Sequence, residues 1–224
     1  GIADACRALA LAGGEALPIV SGNVSFYNQS RDGAAIPPSP IVAVFGRLDD
    51  FTRARDISLK RAGDLIVLVG ERRDELGGGL YYRECLGHRG GAVPSFRGGE
   101  ELAMARLVLD WIGRDIVRAS HDISEGGLAF AAMEMAFASG PHNGLGVRLD
   151  IACDPVLLYS ETPGYLLEVG PDDLPALAGL AAPVRVIGEV VPAFSISGNG
   201  WELNLRELCE QWRDRLAAMV WREE

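Results

Sequence analysis

Apolar residues recur along the chain at two spacings, which predict alternating strands and helices. Residues 64–70 form a nearly continuous apolar run, which is typical of a strand buried on both faces. Residues 147–151 alternate apolar and polar side chains instead, as in a strand with one exposed face. From Leu128 onward, apolar residues follow at intervals of three and four, which predicts a helix packed against a core.

Further elements follow from the same two spacings. The predicted helices cover residues 3–12, 100–112, 155–158 and 171–180, together with the C-terminal segment after Leu203. The predicted strands cover residues 18–20, 41–45, 64–70, 116–119, 147–151, 165–169 and 184–191, followed by a hairpin around Ser197–Gly200. Strands and helices alternate while hairpins intrude, so we expect an α/β (α+β) fold with three layers and a mixed sheet.

One helix shows which of its faces we expect to be buried. In helix 100–112 the apolar face that we expect to meet the core consists of Leu102, Ala105, Leu109 and Ile112. Met104, Val108 and Trp111 widen that face.

A charged segment at residues 49–56, which has no apolar period, divides the chain. The part before it has one predicted helix and two predicted strands, too few to bury a core of its own. We therefore interpret residues 1–50 as the end of a preceding domain and residues 55–224 as a second domain. The chain starts at Gly1 within a helix-like stretch, so we expect it to be a piece of a longer protein whose missing part covers the apolar surface of residues 1–50.

Composition narrows the range of partners. The formal net charge is −10 and the sequence pI is near 4.8, without a basic patch, so nucleic-acid binding is not expected. An acidic protein that handles phosphates must neutralise them locally, with Mg²⁺, helix N-termini or a few cationic side chains. The four cysteines are far apart and lack zinc-type spacing, so we interpret them as mostly buried free thiols in the reducing cytoplasm. No apolar run reaches the roughly 18 residues of a membrane span.

Small hydrogen-bonding residues are concentrated directly after the first predicted strand, in residues 21–25. Gly22 has no Cβ and so allows a ligand to approach the backbone. Asn23 offers a neutral oxygen of the kind that Mg²⁺ accepts, and in an extended chain Ser25 lies on the same face. The alternative is a turn held by local side-chain to backbone hydrogen bonds.

Two further segments combine glycines with residues that could bind a phosphate or a cation. Gly77–Gly79 precede a predicted helix and could either cradle a phosphate or form a tight turn. At Ser120–Gly127 a strand gives way to a helix, with Ser124 as the predicted N-cap. Asp122 could hold a cation there, or cap the helix, while His121 could face a ligand or be a structural histidine.

The segment Ser21–Asn28 closely resembles a motif of phosphoribosylformylglycinamidine synthase, in the second half of its synthetase subunit. Ile36–Val42, Ser120–Ala129 and Tyr159–Thr162 resemble three further motifs of that family, in the same order. The His-Asp-x-Ser-x-Gly-Gly pattern alone is less specific. It also occurs across a superfamily that includes aminoimidazole ribonucleotide synthetase, selenophosphate synthetase and thiamine-phosphate kinase.

The resemblance implies both a fold and a reaction. The fold would be the C-terminal-domain type of aminoimidazole ribonucleotide synthetase, preceded by the end of an ATP-binding N-type domain. The reaction would be an ATP-dependent ligation in purine biosynthesis, which converts formylglycinamide ribonucleotide and ammonia to the amidine. The implied partners are the missing N-terminal domains, a glutaminase subunit that supplies ammonia, and a small bridging subunit.

The resemblance also implies site roles, residue by residue. Gly22 would contact ATP, Asn23 and Asp122 would bind Mg²⁺, and Ser25 would contact the substrate. The family's catalytic histidine would lie in the missing N-terminal part, so neither His121 nor His142 takes that role, and the chain alone should lack synthetase activity.

Other interpretations differ in the role of this chain. It could be a non-catalytic half-site and interface module, because the family carries two copies of the His-Asp motif, or it could be a synthetase of a sister family. Tyr165 stands where the family commonly has Arg, so we interpret Glu161 as a solvated loop carboxylate rather than a substrate contact.

Overall fold

The computed structural model describes residues 1–11, 13–23, 28–36, 39–177 and 183–220, with side chains up to residue 215. The chain divides into two compact units, Gly1–Thr52 and Arg53–Glu224. A 3-10 turn at Phe51–Arg53 spans the division.

The first unit contains little regular structure. Its helix α1 covers Ile2–Ala8, which is shorter than predicted. Residues 31–33 form a turn, because the Ser30 carbonyl accepts from the Gly33 N–H at 3.0 Å and Gly33 has a φ of 86°.

The strands predicted at residues 18–20 and 41–45 are wrong. The described residues of the first unit contain only an isolated bridge, between Gln29 and Ala35. Val20 is 84% exposed and Ile41 is 97% exposed. An apolar run forms a strand only where another strand completes its hydrogen bonds, and the described part of this unit provides none for these two runs.

The second unit is built on a mixed sheet. Its strands are β1 (Leu65–Val69), β2 (Val117–Ile123), β3 (Gly146–Ala152), β4 (Gly164–Val169), β5 (Val184–Val191), β6 (Ser195–Asn199) and β7 (Trp201–Asn204). These seven strands, as described, are ordered β2-β4-β1-β5-β3-β6-β7. Neighbours are antiparallel except for β3 and β6, which are parallel, so the predicted mixed sheet is confirmed.

Helices cover the sheet. They are α2 (Gly98–Gly113), α3 (Gly127–Ser139), α4 (Pro155–Tyr159) and α5 (Arg206–Val220), with a π-helical turn at Tyr81–Cys85 and a 3-10 helix at Pro171–Leu177. Asp154 caps α4 as an acceptor of the Val156 and Leu157 N–H groups, at 2.8 and 3.0 Å. Among the described residues, no helix is long and apolar enough to cross a membrane.

The helices lie in two layers, one on each side of the sheet. Alternate residues of β1 point to opposite faces. Ile66 and Leu68 join the apolar cluster that contains α3, whereas Val67 and Val69 join the cluster that contains α2. The three-layer prediction is therefore confirmed.

Three local predictions were wrong. The face that α2 buries consists of Met104, Val108 and Trp111, while Leu109 is 66% exposed. Strand β2 continues to Ile123 and so includes His121 and Asp122, which were expected to follow the strand. Of the four cysteines only Cys209 is buried, while Cys85 and Cys153 are exposed, so the thiols are not mostly buried.

Candidate functional site: loops at one end of the sheet

The Ser21–Asn28 segment is described only in part. Gly22 and Asn23 lie in the first unit and both are exposed. A Cβ added to Gly22 would meet nothing within 4 Å, so the backbone there is accessible. Ser25 lies outside the described residues.

Asp122 lies on β2, the strand at one edge of the sheet, and its side chain is 66% exposed. Its Oδ1 is 3.2 Å from Nδ1 of His121, and Nε2 of His121 is 3.1 Å from Oε2 of Glu134. The hydrogen bond with Glu134 raises the pKa of His121. His121 is therefore a histidine satisfied on both ring nitrogens, as one of the two interpretations of the sequence expected.

Asp122 does not cap the following helix. Helix α3 has Gly126 as its N-cap, at a φ of 77°, and Ser124 contributes only its carbonyl, which accepts from the Gly127 N–H at 3.0 Å. The prediction that Ser124 is the N-cap is therefore wrong. The described residues contain no group of three or more His, Cys, Asp or Glu side chains placed to hold a metal.

Three loops meet at one end of the sheet of the second unit. Strand β4 pairs antiparallel with both β1 and β2, and its first residues lie beside Val69 and Ile123, the last residues of those strands. The chain that follows β1, the chain that follows β2 and the chain that precedes β4 therefore emerge together. We call these three segments, residues 70–97, 124–127 and 160–163, the loop face.

Glu161 joins the three segments of the loop face. Its Oε1 accepts from the Leu80 N–H at 2.8 Å and from the Gly126 N–H at 2.9 Å. A Cβ on Gly79 would lie 3.0 Å from the Glu161 carboxyl carbon, so the glycine leaves room for this close approach. The interpretation of Glu161 as a solvated carboxylate is therefore wrong, because the half-buried side chain binds the backbone of two other loops.

The glycines at residues 77–79 pack against a second glycine-rich stretch. The Gly77 N–H donates to the Ala92 carbonyl at 2.9 Å, and the Gly78 N–H donates to the Gly90 carbonyl at 3.1 Å. A Cβ on Gly77 would come within 2.3 Å of the Gly91 carbonyl carbon. These glycines thus serve a tight backbone contact, which favours the turn over the phosphate cradle.

Glu75 is the centre of a buried polar cluster that the sequence did not indicate. It is 8% exposed, and its carboxylate accepts from Nη1 of Arg97 at 3.1 Å and from the Thr162 hydroxyl at 2.9 Å. The hydrogen bond from Arg97 is the main reason that the pKa of Glu75 falls to about 2, and the Thr162 hydroxyl lowers it further. Arg97 lies 22 positions from Glu75 along the chain and Thr162 lies 87 positions from it, so no local pattern could have shown the cluster.

A cleft of about 370 Å³ lies beside this cluster. Its walls include Arg73, Arg97, Glu100 and Thr162, and Met104 and Pro183 contribute apolar surface. Arg73 pairs with Glu100 at 3.2 Å across it.

Arg72 lies beneath the segment at residues 160–163 and is 9% exposed. Its Nη1 donates to the Ser160 carbonyl at 3.3 Å and its Nη2 to the Pro163 carbonyl at 3.2 Å, while its buried Nε has no partner among the described residues. Burial lowers the pKa of Arg72 to about 10. Arg72 therefore fixes the segment that carries Glu161.

The chain belongs to the family described as AIR synthase related protein, C-terminal domain, which matches residues 61–199. The match lies within the second unit and contains the loop face. The C-terminal-domain fold that the motifs imply for the second unit is therefore confirmed.

Within that family the chain is similar to PurL, a subunit of phosphoribosylformylglycinamidine synthase. It is 46% identical to the PurL subunit of Methanothrix thermoacetophila over 176 residues, which is 75% of this chain and 22% of that protein. It is 33% identical to the PurL subunit of Thermoanaerobacter pseudethanolicus over 224 residues, which is 96% of this chain and 30% of that protein. The chain thus spans less than a third of the length of these relatives, and the resemblance drawn from its motifs is confirmed.

Solved structures of Thermotoga maritima PurL share the fold. The structures complexed with FGAR and with ATP, and the structure of PurLQS, give TM-scores of 0.59, 0.53 and 0.55. Each matches 71% of this chain and 28–30% of the solved chain at 15% identity, which establishes likeness of fold.

Proposed function

We propose that this chain forms part of the synthetase subunit of a phosphoribosylformylglycinamidine synthase. The intact enzyme would convert formylglycinamide ribonucleotide, ammonia and ATP to the amidine, ADP and phosphate. The observation that carries the proposal is the 46% identity to a PurL subunit over 176 residues. The T. maritima PurL complexes with FGAR and with ATP support the same pair of substrates.

The site roles in this proposal rest on the motif at residues 21–28 and on Asp122. Gly22 would contact ATP through its backbone, which is accessible. Asn23 and Asp122 each present an exposed side chain with a hard oxygen donor, and such oxygens fit Mg²⁺. Ser25 would donate a hydroxyl hydrogen bond to the substrate. The Mg²⁺ would neutralise the triphosphate, and the protein groups would bind and orient it.

The proposed partners lie outside this chain. They are the remaining domains of the synthetase subunit, a glutaminase subunit that releases ammonia, and a small bridging subunit. The existence of a PurLQS structure of T. maritima supports an assembly of this kind. We place the enzyme in the cytoplasm, where purine precursors are made.

A second candidate function is a non-catalytic module of the same enzyme, in which the loop face is a closed half-site. The observation that favours it is the commitment of the Leu80 and Gly126 N–H groups to Glu161. In this case the domain would stabilise the assembly, and the chemistry would use residues elsewhere.

An exchange protein tests the proposed function. The segment of the T. pseudethanolicus PurL subunit that matches this chain is replaced by this chain, since the match covers 96% of it. ATP hydrolysis is then measured with ammonia, with and without formylglycinamide ribonucleotide. We expect substrate-dependent hydrolysis within about tenfold of the parent subunit. An exchange protein that melts like its parent but hydrolyses no ATP would overturn the proposal.

A further inference from the structure

Glu161 makes a contact that no local pattern in the sequence requires. A single oxygen, Oε1, accepts from two backbone N–H groups that lie 81 and 35 positions away along the chain. The two donors belong to different segments of the loop face, and Glu161 belongs to the third. The carboxylate is therefore the point at which all three segments are joined.

Both donors are groups that would otherwise need a partner. Leu80 precedes the π-helical turn Tyr81–Cys85, and Gly126 precedes α3, so neither N–H has an acceptor within its own helix. Gly126 is buried, and an unpaired buried N–H is costly. Glu161 satisfies both with one charged oxygen, and hydrogen bonds to a charged group are the stronger kind.

The surroundings of Glu161 are shaped to hold it in this position. Gly79 permits the close approach of its carboxyl group. The backbone on both sides of Glu161 is fixed by Arg72, which binds the Ser160 and Pro163 carbonyls. Thr162 is in turn held by Glu75 at 2.9 Å.

We propose that Glu161 is the positioning residue of the loop face. Its carboxylate sets the distance between the glycine-rich segment and the Ser124–Gly127 turn, and it occupies the two N–H groups that an oxyanion of a ligand would otherwise use. The inference stands on contacts within the second unit and does not depend on which reaction the intact enzyme performs.

This role has a chemical consequence. In the native chain, small oxyanions do not compete for the Leu80 and Gly126 N–H groups, because the tethered carboxylate is always present. If the side chain is shortened to alanine, a free carboxylate such as acetate can take its place. A side chain that merely filled space would not be replaced by acetate.

The test uses amide resonances of the 224-residue chain, with the variants Glu161→Ala and Glu161→Gln. We expect the Leu80 and Gly126 amide signals to shift in Glu161→Ala and to shift less in Glu161→Gln, which keeps an acceptor oxygen. Added acetate should return both signals toward their native positions in Glu161→Ala and leave the wild type unchanged. Hydrogen exchange at both amides should be roughly tenfold or more faster in Glu161→Ala.

Asp74→Asn is the matched control, since Asp74 is an exposed acid of the same loop face and is adjacent to neither Leu80 nor Gly126. It should leave both signals in place. If Glu161→Ala leaves the two amide signals unmoved, or if acetate shifts them equally in the wild type, the proposal is overturned. If Glu161→Ala does not fold, the Gln variant decides, because unchanged signals and unchanged exchange there would also overturn it.

Discussion

Glu168 and Asp64 place two carboxyl groups side by side in the interior of the second unit. Glu168 is 0% exposed, and it accepts from the Lys60 and Arg61 N–H groups, each at 2.8 Å. Asp64 is 1% exposed and pairs with Arg118. Burial is the main reason that the pKa of Glu168 rises to about 7, and the neighbouring Asp64 raises it further.

This pair predicts a loss of stability as the pH rises. The pKa of Glu168 in the folded chain is about 7, above the ordinary 4.5, so the folded state binds the proton more tightly than the unfolded state. The stabilisation is complete below pH 4.5 and is lost as the pH passes through 7. The wild type should have a lower unfolding free energy at pH 8 than at pH 5, and Glu168→Gln should reduce this difference by roughly 1–3 kcal/mol. Urea titrations at the two pH values measure it, and equal pH dependence in variant and wild type would contradict it.

For the Glu75–Arg97 pair we expect the opposite: stability should fall as the pH is lowered. The pKa of Glu75 is lowered to about 2, so its stabilisation is present above the ordinary value of 4.5 and is lost as the pH falls toward 2. Glu75→Gln should lower the unfolding free energy at pH 7 by about 2 kcal/mol, because Arg97 loses its partner. The loss should fall to roughly half or less at pH 3 and should become small only as the pH approaches 2.

Glu100→Gln is the control for that pair. Glu100 pairs with Arg73 at 3.2 Å, and its side chain is 59% exposed. Exposed pairs contribute little, so this variant should change the unfolding free energy by less than about 1 kcal/mol. If Glu75→Gln and Glu100→Gln lower the unfolding free energy equally, the burial of Glu75 does not determine how much it contributes to stability.

A side chain added at Gly127, at the start of α3, should clash with the neighbouring backbone. Gly127 has a φ of 71°, and an added Cβ would lie 2.7 Å from the carbonyl carbon of Tyr159. Gly127→Ala should therefore lower the unfolding free energy by about 2 kcal/mol or more. Gly99→Ala, in the first turn of α2 where an added Cβ meets nothing within 4 Å, should be neutral or stabilising by up to about 1 kcal/mol. Thermal melts in which the two variants are indistinguishable would contradict this assignment.

The sequence predicted most elements of the second unit because their signals are local. The strand at residues 64–70, the short helix at residues 155–158 and the Ser197–Gly200 hairpin each depend on neighbouring residues, and each was confirmed. The predicted buried face of α2 was wrong because the nine apolar residues of this helix cover more of its surface than the sheet can bury. Which of them is buried depends on the tertiary contact, which Trp111 and Met104 make with the sheet.

The contacts of the loop face could not be predicted from local pattern. Glu161 reaches Leu80 across 81 positions, and Glu75 reaches Thr162 across 87. Such pairings depend on the order of strands in the sheet, since the antiparallel pairing of β4 with both β1 and β2 brings the loops together. The roles of Gly22, Asn23, Ser25 and Asp122 remain predictions that only measurements of binding can test.

The decisive measurement is steady-state kinetics of the exchange protein carrying Asn23→Ala or Ser25→Ala, with a thermal melt of each. If Asn23 gives Mg²⁺ one oxygen, Asn23→Ala should raise the KM for Mg-ATP about tenfold to a hundredfold, or roughly 1.4–2.8 kcal/mol, without changing the melting temperature. Ser25→Ala should raise only the KM for formylglycinamide ribonucleotide. The increase should correspond to the binding free energy of about one lost hydrogen bond, roughly 0.5–1.5 kcal/mol. If both variants melt early and bind both substrates normally, residues 21–25 form only a turn, and the proposed contribution of this chain to the ligase is wrong.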